Sequence, residues 1–261
     1  MSKGLFDLTG KVALVTGGNS GLGLGFARGV ARQGGAVEIW GRSEEKNARA
    51  RGVLEEFGVK ATSRQVDVSD EAQVIAGYDA LLAEHGRLDA VFANSGVPAQ
   101  TRSLLETTSE DYHKLLDINM HGAFYTLQQG AKHMVARAEA GEPGGSLVFC
   151  GSLSMYCGIP GKAQYAAAKA GIGAVIRCMA VEFGKHGIRA NIVAPGYVKT
   201  EMTGESEEWS PVDKHFASQT PIPRPGYTAD FEGIAAYLAS DASTFHSGDT
   251  IVIDGAWLAK L

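Results

Sequence analysis

A short apolar run, Lys11 to Thr16 (KVALVT), is followed at once by the glycine-rich turn TGGNSGLG and then by a helical pattern from Leu22 to Gln33. No other stretch limits the fold as much. An apolar, β-branched run without polar alternation belongs to a strand buried on both faces, and such strands occur in parallel sheets covered by helices on both sides. Gly17, Gly21 and Gly23 punctuate the turn, where a Cβ would keep a ligand away from the backbone. The N–H groups that open the next helix point outwards and its dipole favours negative charge, so Asn19, Ser20 and Leu22 belong to a candidate phosphate site. An ordinary tight connection is the plain alternative, because the strict G-x-G-x-x-G spacing is absent.

The strand-then-helix pattern repeats along the chain. Strands are expected at Ala36 to Trp40, Ala61 to Val66, Leu88 to Ala93, Ser146 to Cys150, Ile188 to Ala194 and Thr250 to Ile253. Helices are expected at Ser43 to Phe57, Asp70 to His85, Ser109 to about Arg137, Lys162 to Gly187 and Thr228 to Ser240. The reading is an α/β fold, a Rossmann-type doubly wound parallel sheet of about seven strands with helices on both faces, filling residues 1–261 as one domain. Strand ends carry small or polar residues: Gly41 and Arg42, Asp67 and Val68, Asn94 to Gly96, Pro195 and Gly196. Carboxyl ends of such strands are where open parallel sheets bind ligands. In a dinucleotide site the end of the second strand meets the adenosine ribose, where an acid suits a free 2'-hydroxyl and an arginine a 2'-phosphate. Arg42 occupies that place, whereas Glu38 sits inside the strand and is discounted; a solvated arginine beside Glu44 and Glu45 is the bland alternative. Asp67 either accepts from an adenine amino group or opens the next helix.

Chemistry is concentrated between Cys150 and Ile176. Tyr165 and Lys169 stand four apart in an Ala-rich helix, on one face and one turn apart. A cation beside a phenol favours the phenolate, which makes Tyr165 a proton donor or acceptor, and Ser152 at the end of the preceding strand is placed to hold a carbonyl or alcohol oxygen. An exposed helical pair is the competing account. Asn119, inside LDINMHGAF, is unfavourable in a helix interior unless engaged. Residues 197–225 break the pattern, with Met202, Trp209 and Phe216 spaced seven apart, and are expected to form a lid over the pocket.

With 24 basic against 29 acidic residues and no Lys/Arg run, nucleic acid is excluded as the main partner. Three cysteines without a CxxC point to neither a disulfide framework nor a metal site, and the sequence offers neither a signal peptide nor a membrane span. A cytoplasmic protein acting on a small molecule is expected.

Together these motifs resemble the classical short-chain dehydrogenase/reductase family over almost the whole chain. TGGNSGLG is similar to T-G-x-x-x-G-x-G, Asn94-Ser95-Gly96 to most of N-N-A-G with Ala93 in place of its first Asn, PGYVKT to P-G-x-x-x-T, and Asp254-Gly255-Ala256 to D-G-G. Asn119, Ser152, Tyr165 and Lys169 fall at the catalytic tetrad. The resemblance implies hydride transfer between a nicotinamide and a ketone or secondary alcohol. Tyr165 would exchange the proton, Lys169 bind the nicotinamide ribose, Ser152 position the oxygen and Asn119 hold a relay water. It assigns Pro195, Gly196, Val198 and Thr200 to the nicotinamide side and implies a homotetramer or homodimer. Gly41-Arg42 resembles the NADP(H)-preferring branch, NAD(H) remaining open because Asn19 and Ser20 supply no second basic group. Ser154, Tyr156 and Tyr197 are candidate substrate contacts, with Met155 and Ile159 beside them. A cofactor-sensing or scaffold protein, or a dehydratase or epimerase, are the rival readings on the same fold.

Overall fold

In the computed structural model, which describes residues 4–99, 103–200 and 208–260, the chain begins its sheet in the middle. β1 (Val12–Thr16) is buried along its whole length, as its uninterrupted apolar sequence requires. The chain then steps outwards through α1 (Gly21–Arg32), β2 (Ala36–Gly41), α2 (Glu44–Glu55) and β3 (Ala61–Gln65). α3 (Glu71–His85) carries it back across, and β4 (Ala90–Ala93) pairs with the other side of β1. Thereafter come α4 (Ser109–Leu116), α5 (Gly122–Glu139), β5 (Gly145–Cys150), α6 (Ala163–Phe183) and β6 (Ile188–Pro195). A two-residue pair, β7 (Val198–Lys199) with β8 (Gly226–Tyr227), brackets α7 (Pro211–Gln219); α8 (Glu232–Ala239) and β9 (Thr250–Ile253) close the chain. The main sheet has seven parallel strands in the order β3-β2-β1-β4-β5-β6-β9. The order reverses between β1 and β4, and the loops leaving these strands diverge there to open a crevice.

Each sheet face has its own core, as alternation along the strands demands. Val15, Phe26, Phe92 and Phe231 lie on the face covered by α1 and α8. Leu14, Trp40, Tyr78, Leu127 and Ile172 lie on the face covered by α3, α5 and α6. Aromatic pairs lock both, Phe26 on Phe92 at 5.4 Å and Trp40 edge-on to Tyr78 at 5.2 Å, each buried ring contributing about 1.5–3 kcal/mol. Glu38 faces inwards from β2 with no exposure. Burial alone would push its carboxyl up, but bonds from His85, Trp40 and Thr62 and the Arg64 charge hold it below the usual carboxylate range. It is therefore a structural anion and does not reach the crevice.

Three expectations change in detail. The single helix expected from Ser109 to about Arg137 is broken at Asp117–His121 by a π-turn, a feature frequent at functional sites. α6 stops at Phe183 and a 3-10 turn, Gly184–His186, completes the segment. Within 197–225 there is regular structure: α7 starts on a capping box between Ser210 and Asp213 with Pro211 in its first turn. Glu201, Met202, Glu205 and Glu207 lie outside the described residues. No helix among the described residues is long and apolar enough to cross a membrane.

Candidate active site

A cleft of about 850 Å³ runs along the carboxyl ends of the strands, from Asp67 after β3 to Asp254 after β9. Its floor at the switch point is built by Thr16, whose hydroxyl accepts the N–H groups of Asn94 and Ser95, both at 3.1 Å. The Asn94 amide returns to the Thr16 carbonyl at 3.0 Å, tying β4 to the glycine turn. Gly17 adopts φ 64°, and a Cβ at Gly23 would stand 2.2 Å from the Gly17 carbonyl oxygen, so α1 and the turn touch backbone to backbone. Ser20 precedes α1 in an extended conformation and makes no side-chain cap, which leaves the first N–H groups of the helix open to the cleft. Gly17, Asn19, Ser20, Gly21 and Leu22 all line it, while Gly23 lies beneath as a spacer. A cradle of this form fits the phosphates of a dinucleotide.

Beyond the turn the cleft divides by strand. On the β2–β3 side it is lined by Gly41, Arg42, Asp67 and Val68, and by Lys46 from α2. Asn47, 2% exposed, accepts from the Asn19 amide at 2.7 Å and donates to the Gly41 carbonyl at 3.0 Å, fixing the end of β2 against the turn. Asp67 uses one carboxylate oxygen to hold Ser69; the helix-opening role falls to Asp70, which caps α3. On the β5–β9 side, Pro195, Gly196, Val198 and Thr200 line the cleft, with the Thr200 side chain next to Gly21.

The reactive residues meet above the end of β5. Lys169 is only 3% exposed, and a buried ammonium needs partners. It donates to the Cys150 carbonyl at 2.7 Å and lies 4.8 Å from the centre of the Phe149 ring. From there it faces the Tyr165 ring, 5.6 Å from its centroid. Ser152 follows β5 in an extended conformation, its hydroxyl accepting from the Ser154 N–H at 3.2 Å, and lines the cleft with Tyr165. Asn119, fully buried on the π-turn, clamps Val97 through both N–H and carbonyl and donates to the Leu115 carbonyl. Gly96 separates it from Lys169: a Cβ there would be 2.6 Å from the Asn119 oxygen and 3.7 Å from the Lys169 nitrogen. Burial pushes the Cys150 thiol up, with Lys169 only partly offsetting it, so this sulfur stays protonated beside the site.

A family model described as enoyl-(acyl carrier protein) reductase matches residues 17–257, and gluconate 5-dehydrogenase of Gluconobacter oxydans (strain 621H) is 35% identical over 258 residues, covering 98% of each chain. This chain is a classical short-chain dehydrogenase/reductase. Among solved members of the family, a gluconate 5-dehydrogenase from Burkholderia cenocepacia J2315 in complex with NADP and tartrate superposes with a TM-score of 0.89 at 33% identity, over 98% of each chain. An NAD+-bound xylitol dehydrogenase does so with a TM-score of 0.86 at 28% identity, over 95% of this chain and 99% of that one. The short-chain dehydrogenase/reductase described here is accordingly an oxidoreductase that transfers hydride at alcohol or keto groups and uses a nicotinamide dinucleotide.

The fold brings every expected tetrad and cofactor residue to this one cleft or directly under it. Of the substrate candidates, Ser154, Tyr197 and Ile159 line the cleft, whereas Tyr156 is 51% exposed and, with Met155, stands outside it. Tyr197 stacks on Phe216 of α7 at 4.2 Å and donates to Asp213 at 2.8 Å. Lys46, Lys162, Arg224 and Trp257 also line the cleft without having been singled out in the sequence. Lys46 lies in the first turn of α2 among Glu44 and Glu45 and reads in the sequence as a surface lysine; Trp257 carries no local signal either.

Proposed function

We propose that the enzyme interconverts a ketone and the corresponding secondary alcohol with NADP(H) in preference to NAD(H), Tyr165 exchanging the proton with the substrate oxygen. The observation that carries the reading is the alignment of Tyr165, buried Lys169 and Ser152 at the mouth of β5, in the same cleft as the glycine cradle. Bound there, the nicotinamide supplies or accepts the hydride. Lys169, fixed on the Cys150 carbonyl, supports the tyrosinate and keeps donors free for the nicotinamide ribose. Ser152 orients the substrate oxygen. Asn119 has one lone pair of its side-chain oxygen left for a relay water, its other bonds being taken by Val97 and Leu115.

Preference for a 2'-phosphate is supported by Arg42 and Lys46 together, the second basic group coming from α2. Glu38, the carboxylate within β2, does not compete for that place, since it is buried and held by Arg64. The described part of the segment, residues 208–225, acts as a substrate lid through Phe216, Thr220, Ile222 and Arg224, which line the cleft. Assembly as a homotetramer or homodimer is supported by exposed apolar side chains, Val181 on α6 and Phe245 before the edge strand β9. Three free thiols fit a reducing, cytoplasmic setting. The test is a ketone panel followed by cofactor absorbance with NADPH and NADH: wild type turns over faster with NADPH, and Tyr165→Phe keeps NADPH affinity while losing at least about 10²-fold in kcat. Near-normal turnover of Tyr165→Phe removes Tyr165 as the proton donor or acceptor, and no cofactor oxidation by wild type with any ketone of the panel favours the dehydratase or epimerase reading.

A further inference from the structure

Asn47 is out of character with its place in α2. The helix turns three residues inwards, Asn47, Ala50 and Leu54, at the spacing of a core-facing stripe. An amide buried there, at 2% exposure, costs stability unless its nitrogen and oxygen are both bonded. Both are. The nitrogen donates to the Gly41 and Arg64 carbonyls, each at 3.0 Å, and the oxygen accepts from the Asn19 amide at 2.7 Å. Because both hydrogens of the nitrogen meet carbonyl oxygens, which only accept, the amide has a single orientation. One side chain thus joins the end of β2, the strand β3 and the glycine turn at the point where α2 begins. The packing is as close as the bonds: a Cβ on Gly41 would stand 2.1 Å from the Asn19 nitrogen and 2.6 Å from the Asn47 oxygen.

The two basic residues assigned above to a 2'-phosphate flank this junction. Arg42 follows Gly41 and Lys46 precedes Asn47, and both line the cleft, whereas Asn47 lies behind its wall. The Arg42 guanidinium has no hydrogen bond or ion pair among the described residues, so its reach is set by the backbone that carries it. That backbone is pinned at Gly41 by Asn47 and at Arg42 by Gln65, whose amide donates to the Arg42 carbonyl at 2.9 Å. We propose that Asn47 is the positioning residue for the 2'-phosphate: without touching the cofactor it sets the spacing of Arg42 and Lys46 across the turn from β2 to α2, and with it the discrimination between NADP(H) and NAD(H). The two cofactors share their pyrophosphate and nicotinamide and differ only in that phosphate, so a shift of this turn acts chiefly on NADP(H). The proposal rests on the NADP(H) preference given above.

NADP+ and NAD+ are titrated separately by calorimetry into the full-length wild type and into Asn47→Leu, whose side chain fills a similar space and makes none of the three bonds. The variant is expected to lose about 10-fold or more in NADP+ affinity, the size of a misplaced charge-assisted contact, while NAD+ affinity changes by less than about 3-fold. Asn47→Ser, which cannot span the three partners, is run beside it and should move the same ratio in the same direction, so the outcome does not hang on the folding of the leucine variant. In an Arg42→Ala, Lys46→Ala background, Asn47→Leu should change NADP+ affinity by less than about 3-fold, because the groups it acts through are gone. Equal losses for NADP+ and NAD+, no loss for either, or a full NADP+ loss that persists in that background overturns the positioning role and leaves the NADP(H) preference standing. A wild type that binds NADP+ no more tightly than NAD+ removes the preference and the positioning role together.

Discussion

Replacing Gly23 by alanine tests whether the glycine turn holds the cofactor. The added Cβ would stand 2.2 Å from the Gly17 carbonyl oxygen and 2.5 Å from the Asn94 amide nitrogen. Even a tight contact of about 3.2 Å leaves about 1 Å to be found. Gly17 cannot retreat, because its N–H is bonded to the Trp40 carbonyl at 2.7 Å. α1 cannot simply slide away as a unit either, since its Gly29 already faces the Glu232 backbone, where a Cβ would lie 2.2 Å from the carbonyl oxygen. The strain should cost about 1–3 kcal/mol of stability. The displaced N–H groups lose charge-assisted bonds to phosphate, about 3 kcal/mol for two, or more than 10²-fold in NADPH affinity. NADPH fluorescence titration reads the affinity and thermal unfolding by circular dichroism reads the fold. Gly52→Ala is the control: Gly52 is exposed in the middle of α2 with nothing within 4 Å of a new Cβ, so the same change should add about 0.5–1 kcal/mol and leave affinity untouched. A folded Gly23→Ala protein with wild-type NADPH affinity would refute the placement of the phosphates on this turn.

At the opposite end of the sheet, Asp89 is 8% exposed; burial pushes its carboxyl up, but Arg87, the Val12 N–H and Arg137 hold it below the usual carboxylate range. Such a group adds stability above its unfolded value near pH 3.9 and loses it as pH falls through the lower folded value. Asp89→Asn should therefore be less stable by about 3 kcal/mol at pH 7 in urea unfolding, with the gap closing below about pH 4; a gap independent of pH contradicts the ion-pair account. Ala256 holds φ 70° between the Asp254 carboxylate and Trp257, where the family pattern has glycine. Ala256→Gly should relieve left-handed strain of about 1 kcal/mol and raise the melting temperature by about 2–4 °C, and a lower melting temperature shows that the strain is not stored there.

Much of the site was legible because its signals are local. Gly17, Gly21 and Gly23 announce a turn that tolerates no side chain, and Tyr165 with Lys169 share a face by helical spacing alone. The break at Asp117–His121 was not legible: LDINMHGAF contains no Gly or Pro before it to mark a break, and the π-turn accompanies bonds from Asn119 to Val97, a residue of another loop. Lys46 and Lys162 read as surface lysines in any one-dimensional pattern. They become parts of a cleft only when α2 and α6 are laid over the sheet.

By itself, then, the amino-acid order determined the alternation of strands and helices, the phosphate-type turn and the residue types of the proton-transfer group, since each depends on spacing within a few residues. Only the tertiary structure decided which charges are compensated. Glu38 is bound by Arg64 and Trp40 beneath the sheet, Asp230 by Arg224 and Lys169 by the Cys150 carbonyl, whereas Lys162 is left facing the cleft. Partners distant in sequence set that balance, and electrostatic interactions depend on separation and burial in space, which no local pattern contains.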